Sequence, residues 1–448
     1  MDRLERQKNA IADLIAKHKW NELRTKVSDI QPADIADLLM RLEKRDRVLL
    51  FRAISRELSA NAFSELSHID AQHFLHDLSD EETRALLTEL EPDDRAELLE
   101  ELPGVVVQKL LNLLDPGELA KTQALLGYPE ESTGRLMTPG YVAIRPTWTA
   151  TEALAHVRKR NPKSETVDVL YVTDEKWRLL GVLSLRQLIF EEPTTVVETF
   201  MLKSVVKALA TDDREKTAGL MSKYNLAVLP VTDKDNILVG IVTVDDVMDV
   251  VEEETTEDFY KSAAVETLKM DLSDASVGIL YRSRIGWLVV LIFINIIAGA
   301  IIAHYEDTIT EAIVLISFLP LLIASAGNAG SQAATLAIRA LAVGDIRARD
   351  WLQITAKELA VATSLGVTMG FVVWWLGIWR AGPQIAIVVT LTMIIVVMIG
   401  SIIGISLPFL LRKLKLDPAV ASAPLVATVS DVFGVLVYFA LASAFLGF

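Results

Sequence analysis

The hydrophobic pattern changes character twice along the chain. Up to about residue 125, apolar residues recur at helical spacing in short blocks, as in Pro32-Ala-Asp-Ile-Ala-Asp-Leu-Leu-Met-Arg-Leu, Asp80-Glu-Glu-Thr-Arg-Ala-Leu-Leu-Thr-Glu-Leu and Pro92-Asp-Asp-Arg-Ala-Glu-Leu-Leu-Glu-Glu-Leu. Apolar positions three and four apart give each block one buried face. Ser79 followed by Glu82 forms a capping box, and Pro32 and Pro92 fall where a first helical turn tolerates a missing N–H. Short amphipathic helices in series predict an α-solenoid within an acidic helical N domain at 1–130. From 137 to 256 the pattern becomes short β-rich runs alternating with helices. After residue 282 it becomes nearly continuous apolar stretches, close to the roughly 20 residues that cross a bilayer. Five spans are expected, at Gly286–His304, Ala312–Leu336, Leu359–Trp379, Ile385–Leu411 and Pro418–Leu446. The fold class is therefore multidomain, with an N-terminal α-solenoid, an α/β repeat and an all-α five-helix transmembrane domain at 282–448.

The β-rich region is an internal duplication. Val172-Thr173-Asp174 recurs as Val231-Thr232-Asp233, and Gly181-Val-Leu-Ser-Leu-Arg-Gln-Leu-Ile as Gly240-Ile-Val-Thr-Val-Asp-Asp-Val-Met, both offset by 59 positions, with Met137 and Met201 opening the two copies. Each copy reads helix, two β-runs divided by a polar turn, then helix. This resembles a tandem pair of CBS domains, at 137–200 and 201–256. Such pairs often sense an adenine nucleotide, and the resemblance implies that Gly-x-x-Ser/Thr-x-x-Asp places a hydroxyl and a carboxylate near ribose and phosphate. The second copy matches with Gly240, Thr243 and Asp246; the first has Gly181 and Ser184 but Gln187 in place of the acid. ATP bound at the CBS pair is one expectation, and a purely structural pair is the other.

Charge separates the same regions. Residues 285–448 hold eight basic and eight acidic side chains, which leaves 36 of the 44 basic and 51 of the 59 acidic residues, the whole net charge of −15, in the first 284. That acidity argues against nucleic acid, which needs a basic stripe, and for cationic partners. The absence of cysteine excludes disulfides and thiolate metal sites and leaves oxygen ligands or six scattered histidines, an inventory that hard cations fit best. Met1-Asp2-Arg3-Leu4-Glu5-Arg6 has no signal-peptide core. Basic residues crowd one side of the spans: Arg282 and Arg284 before the first, Arg339, Arg347, Arg349 and Lys357 between the second and third, Arg412, Lys413 and Lys415 between the fourth and fifth, against Arg380 alone opposite. The positive-inside rule then puts the N-terminus in the cytoplasm and, after five spans, the C-terminus outside.

Within the apolar run 418–448 the sole charge is Asp431. A carboxylate at mid-bilayer depth costs about 2.5–3.5 kcal/mol on insertion scales and is rarely placed there without an ion, a partner or a water-filled path. Asp431 therefore reads as a cation site; a carboxylate hydrogen-bonded for helix packing is the alternative. In the second span, Gly327-Asn328-Ala329-Gly330-Ser331-Gln332 sets Asn328 and Gln332 on one helix face. It also makes small-xxx-small pairs, Gly327 with Ser331 and Ala326 with Gly330, that permit close backbone approach. A polar pore wall or simple helix packing both fit.

The connector at 246–270 and the residue before it are unusually acidic: Asp245, Asp246, Asp249, Glu252, Glu253, Glu254, Glu257 and Asp258 fall within fourteen residues. Like charges at helical spacing repel, and more so if packed against Asp212, Asp213 and Glu215 or Asp93, Asp94 and Glu97. A divalent cation between them would turn repulsion into cohesion, so a metal sensor is expected here, with a solvated charged face as the alternative.

Taken together, the order of parts and the motifs resemble the MgtE family of magnesium channels. The most specific matches are Gly327 to Gln332 and the run Asp417-Pro-Ala-Val-Ala-Ser-Ala-Pro-Leu-Val-Ala-Thr-Val-Ser-Asp431. Two departures are Ala326, where relatives commonly carry glycine, and Asn225, where some are expected to carry an acidic metal ligand. The resemblance implies a homodimer in a lipid bilayer, a bacterial plasma membrane, with one pore at the seam. It implies that Asp431 of each subunit binds hydrated Mg²⁺, that Asp417 is a pore-mouth ligand, and that the connector is a plug helix. Intracellular Mg²⁺ among Asp94, Asp213, Glu215, Asp246, Asp249, Glu254, Glu257 and Asp258 would close the pore. Transport of another divalent cation (Mn²⁺, Co²⁺, Ca²⁺) or of a different substrate is the alternative. No catalytic residue is assigned: an intramembrane metalloprotease would need His-Glu-x-x-His, and His304 is the one histidine of the membrane region.

Overall fold

Local signals set the first helices. In the computed structural model, which describes residues 3–100, 102, 104–160, 164–268, 272, 275–342 and 346–446, the N-terminal blocks form ten short helices among the described residues, from Arg3–Ala16 to Pro116–Leu126. Pro32 sits at the first position of its helix, and the Ser79/Glu82 capping box is formed in both directions. Their apolar faces meet in one core around Ile11, Leu23, Ile35, Leu39, Leu50, Phe63, Phe74 and Leu87. Arg95 is fully buried. It donates to Leu87 O at 2.6 Å, Thr122 Oγ1 at 2.8 Å and Glu118 Oε2 at 2.7 Å, fixing the Pro92–Glu100 helix to the Pro116–Leu126 helix. A buried guanidinium persists only when its donors are satisfied, so this network sets the position of Asp93 and Asp94 in the first turn of its helix.

The duplication folds as two three-stranded sheets, Ala143–Ile144, Val169–Thr173 and Leu179–Ser184, then Ala208–Leu209, Val228–Thr232 and Leu238–Thr243. In each, the first pair is parallel and the second antiparallel. The 59-residue offset holds to the individual pair: Tyr171↔Val182 recurs as Pro230↔Ile241, and the irregularity at Val172/Thr173 recurs at Val231/Thr232. The segment that opens each copy crosses to the other, Thr138 pairing with Ile241 and Leu202 with Val182. A β-carbon on Gly240 would lie 2.8 Å from the Met137 sulfur and 2.9 Å from Thr138 O; one on Gly181 would lie 2.9 Å from the Met201 sulfur. The glycines are therefore required where the two opening methionines lie across the sheets.

The chain divides into two compact units, Met1–Glu252 and Glu253–Phe448. One helix, Val244–Ser262, begins in the first and ends in the second. It occupies most of the expected connector; positions 269 and 270 of that expectation fall outside the described residues.

In the second unit, four helices among the described residues are long and apolar enough to cross a membrane: Val277–His304, Trp351–Ala381, Pro383–Lys413 and Ala423–Leu446. The remaining expected span is the 24-residue helix Leu319–Ala342. Its glycines, serines, Asn328 and Gln332 dilute its hydropathy, and at about 1.5 Å per residue it is about 36 Å long. It starts later and runs further than expected, since Ile313–Ser317 is a separate 3₁₀ turn. Asp417 likewise opens a 3₁₀ turn, Pro418–Val420, and the last long helix begins only at Ala423.

The Leu319–Ala342 and Pro383–Lys413 helices touch backbone to backbone. β-Carbons on Gly400 and Gly404 would overlap the carbonyl oxygens of Ala326 and Gly330, and one on Gly330 would lie 2.7 Å from Gly400 O. Without a hydrophobic drive between helices in lipid, such close packing is what holds spans together. A buried hydrogen bond of 2.9 Å from Tyr438 Oη to Leu315 O ties the last helix to the turn before Leu319–Ala342.

Candidate functional site

The intramembrane acid lies against the glycine-asparagine motif. Asp431, half-buried on the Ala423–Leu446 helix, has its Oδ1 3.3 Å from where a Gly327 β-carbon would be, and Ala427 Cβ is 3.2 Å from the same point. Gly327 thus lets the acid-bearing helix close on the Leu319–Ala342 helix, beside Asn328. Asn328 and Gln332 are exposed on that helix, whereas Ala326, Ala329, Gly330, Ala333 and Ala337 on its other side are buried. Amides on the open face of a hydrophobic unit are costly against lipid, so this face meets water or protein in the membrane. Next to the acid, the Ser430 hydroxyl is buried without a hydrogen-bond partner. Ser331 Oγ donates to Ala423 O at 3.1 Å, joining the two helices at one end of the motif.

Asp417 is already engaged on both oxygens. Oδ1 accepts from Ala419 N at 2.8 Å, capping the Pro418–Val420 turn, and Oδ2 accepts from Lys261 Nζ at 2.6 Å. Lys261 also pairs with Glu257 one turn back on its own helix. Burial works against the Lys261 charge, but the bonds to Asp417 and Glu257 outweigh it and raise the ammonium's pKa. Burial and then the Asp417 charge push the neighbouring Asp258 carboxyl upward. The resemblance had assigned Asp417, Glu257 and Asp258 to cations; Lys261 is the basic group among them and was not singled out from sequence.

In the first unit the N-terminal end of the Val244–Ser262 helix meets the first turn of Pro92–Glu100. Asp93, Asp94, Asp245, Asp246 and Asp249 gather there with Glu91 and Glu165, and the charged groups acting most strongly on Glu91, Asp93, Asp94, Glu165 and Asp246 are other carboxylates. Burial, then the charges of Glu91, Asp245 and Asp249, push Asp94 up to about 6. Burial pushes Asp246 up to about 7 against a bond from Thr243, with Asp245 and Asp94 adding to the rise. Glu91 is exposed as a residue, yet burial of its carboxyl and the adjoining Glu165 raise it to about 8. Asp93 is 8% exposed and raised well above its ordinary value by burial and then by the Asp246, Asp94 and Glu91 charges. Its Oδ1 is buried without a hydrogen-bond partner. A carboxylate buried among like charges calls for a cation or a proton. Among the described residues no three acidic or histidine side chains converge as a direct metal cage.

Of the expected regulatory residues, the structure brings together Asp94, Asp246 and Asp249, and it adds Glu91 and Glu165. Asp213 instead caps the Arg214–Tyr224 helix, accepting from Glu215 N at 2.8 Å. Glu215 lies in the first turn of that helix, and Glu254 lies further along the Val244–Ser262 helix. Asn225 ends the Arg214–Tyr224 helix in the left-handed conformation at φ 51°, where asparagine is tolerated better than most residues. The motif residues assigned to nucleotide also have local partners. Thr243 donates to Asp246 Oδ2 at 2.6 Å, and Ser184 forms a full capping box with Gln187.

The comparisons agree with this layout. A family model described as a divalent cation transporter, MgtE, matches 319–441, one described as the MgtE intracellular N domain matches 30–131, and the CBS domain model matches 134–192 and 197–253. The magnesium transporter MgtE of Thermus thermophilus is 39% identical over 94% of both chains, and that of Bacillus subtilis 31% identical over 97% of this chain and 96% of its own. Among solved structures, the cytosolic domain of the Mg²⁺ channel MgtE in complex with ATP matches at 38% identity and TM-score 0.52, covering 54% of this chain and 99% of that one. These matches define a multi-pass membrane transporter carrying an N-terminal helical domain and a CBS pair, not an enzyme. The chain belongs to the MgtE family of divalent cation transporters.

Proposed function

We propose that this chain forms a homodimeric Mg²⁺-selective channel of a bacterial plasma membrane, with five spans per subunit, the N-terminus in the cytoplasm and the C-terminus outside. The observation that carries the reading is Asp431 set against Gly327, beside the exposed amides of Asn328 and Gln332. Two facing carboxylates match a +2 ion, and Mg²⁺ dehydrates so reluctantly that a site of few carboxylates and many waters suits it. Leu319–Ala342 supplies the second of the five spans and completes the count, its low hydropathy being that of a wall facing water. The relatives named as magnesium transporters support the choice of ion.

Gating follows from the acidic cluster. Glu91, Asp93, Asp94, Glu165, Asp245, Asp246 and Asp249 repel one another unless divalent cations are held among them, so intracellular Mg²⁺ favours the packed arrangement and the closed pore. Moving such an equilibrium from 1:99 to 99:1 takes about 5.5 kcal/mol of differential binding, more than one weak site supplies and within reach of several. Glu254, Glu257, Asp258 and Asp417, all in the second unit, are kept as further candidates. Asp213 and Glu215 are kept as lesser candidates. ATP at the CBS pair, through Thr243 and Asp246, is supported by the relative crystallised with it; binding would have to displace the Thr243–Asp246 bond.

Flux into proteoliposomes tests both parts. Asp431→Asn is expected to abolish Mg²⁺ uptake, and neutralising Asp94, Asp246 and Asp249 together to leave uptake open at high internal Mg²⁺. Uptake by Asp431→Asn equal to wild type would sink the channel reading. Preference for Mn²⁺, Co²⁺ or Ca²⁺ in the same assay would favour a different divalent cargo.

A further inference from the structure

We propose that Lys261 is the coupling residue of the gate: its ion pair with Asp417 is a latch that transmits the state of the acidic connecting helix to the pore helix. The inference rests on the gating reading above and assigns it a mechanical contact. Lys261 lies in the last turn of Val244–Ser262, the helix whose other end carries Asp245 and Asp246. Its Nζ holds Asp417 Oδ2 at 2.6 Å across 156 residues of sequence, and Glu257 on the same helix steadies it. Both partners are only partly exposed, at 29% and 36%, so the pair is less screened than a surface bridge.

Asp417 is well placed to pass a displacement on. Its other oxygen caps Pro418–Val420. That turn leads through Ala421 and Ser422 into the helix that starts at Ala423 and carries Asp431 about two turns in. The start of that helix is also tied by Ser331 to the Gly327–Gln332 motif. A shift of Lys261 thus reaches both walls of the candidate ion path. Lys261 is also the cation that lets Asp258, Glu257 and Asp417 lie close together. Without it the connecting helix and the mouth of the fifth span would present like charges to each other.

The test measures Mg²⁺ uptake by the full-length protein in proteoliposomes at low and high internal Mg²⁺, together with Mg²⁺-dependent protection of the region before residue 252 from protease. In Lys261→Met the low-to-high flux ratio is expected to fall on the order of fivefold or more, the lower end of measured site-to-site coupling, while protease protection by Mg²⁺ stays as in wild type. Lys261→Arg should keep the ratio. Lys261→Glu combined with Asp417→Lys should recover it relative to either single change, which a residue that only stabilises its own helix would not do. If wild type closes and Lys261→Met closes identically, the latch is overturned alone; if protection is lost along with closure, Lys261 serves the sensor and the latch is again overturned. If wild type ignores internal Mg²⁺, the gating reading falls and takes the latch with it.

Discussion

Asp431 Oδ1 stands 3.3 Å from the point at which a side chain on Gly327 would begin. The acid and the glycine, on different helices, therefore form one steric unit. Gly327→Ala adds a contact that a small shift relieves, whereas Gly327→Val drives branched carbons into Asp431 and Ala427. Uptake measured in proteoliposomes should fall modestly for alanine and, for valine, at least tenfold, about 1.4 kcal/mol of lost site geometry.

The acidic cluster should make the metal-free protein sensitive to pH. Folding raises the pKa of Asp94, Asp246 and Glu91 to about 6, 7 and 8. Raised values mean that the folded state binds more protons than the unfolded one, so stability is fully present below the unfolded carboxylate values and is lost as pH rises through the folded ones. Thermal unfolding without divalent ions should show a melting temperature that falls between about pH 5 and pH 8. Mg²⁺ should raise it more at pH 8 than at pH 6, because protons occupy the carboxylates at the lower pH. A melting temperature flat across that window would argue against the cluster as drawn.

Gly240→Ala should destabilise the CBS pair, since its β-carbon meets both the Met137 sulfur and Thr138 O. Overpacking of this kind costs about 1–3 kcal/mol. Met137→Ala should recover only part of that in a double-mutant cycle followed by denaturant unfolding, because the thioether can be removed and the carbonyl cannot. Full recovery would mean that the backbone contact is slack.

Much of this architecture can be read from the sequence where one signal repeats. The 59-residue offset is carried by whole strands, so it survives as identical strand register. Ser79 and Glu82 specify a helix start from four residues. Charge is harder to read, because a carboxylate that caps a helix looks the same in sequence as one buried among other carboxylates: Asp213 is the former and Asp94 the latter. Glu91 and Glu165 join the cluster from segments with no shared pattern, and only the fold brings them to Asp245 and Asp246. Lys261 escaped notice because a lone lysine at the end of an acidic helix reads as a solvated residue, while its partner lies 156 positions away. The expected second span is legible as apolar, but the helix found there, Leu319–Ala342, starts and ends later, because a 3₁₀ turn precedes it and its glycines and amides blur its hydropathy.

Gly404→Leu should be the most damaging of the glycine changes in the membrane unit, since even a β-carbon there overlaps Gly330 O. The expected result is loss of folded protein on size-exclusion chromatography in detergent. Gly299→Ala tests how specific that loss is: it lies inside a helix and nothing is near its β-carbon position, so it should leave a folded peak.

The bare-backbone seam between Leu319–Ala342 and Pro383–Lys413 also bears on how the membrane unit can move. Side chains that interdigitate can change rotamer and let helices slide, but carbonyl oxygens seated over glycine α-carbons leave nothing to rearrange. The two rods must therefore travel as a single stave. Any relative movement within the membrane unit therefore falls where this stave borders its other helices, and a wedge aimed between the rods themselves would find no room to enter.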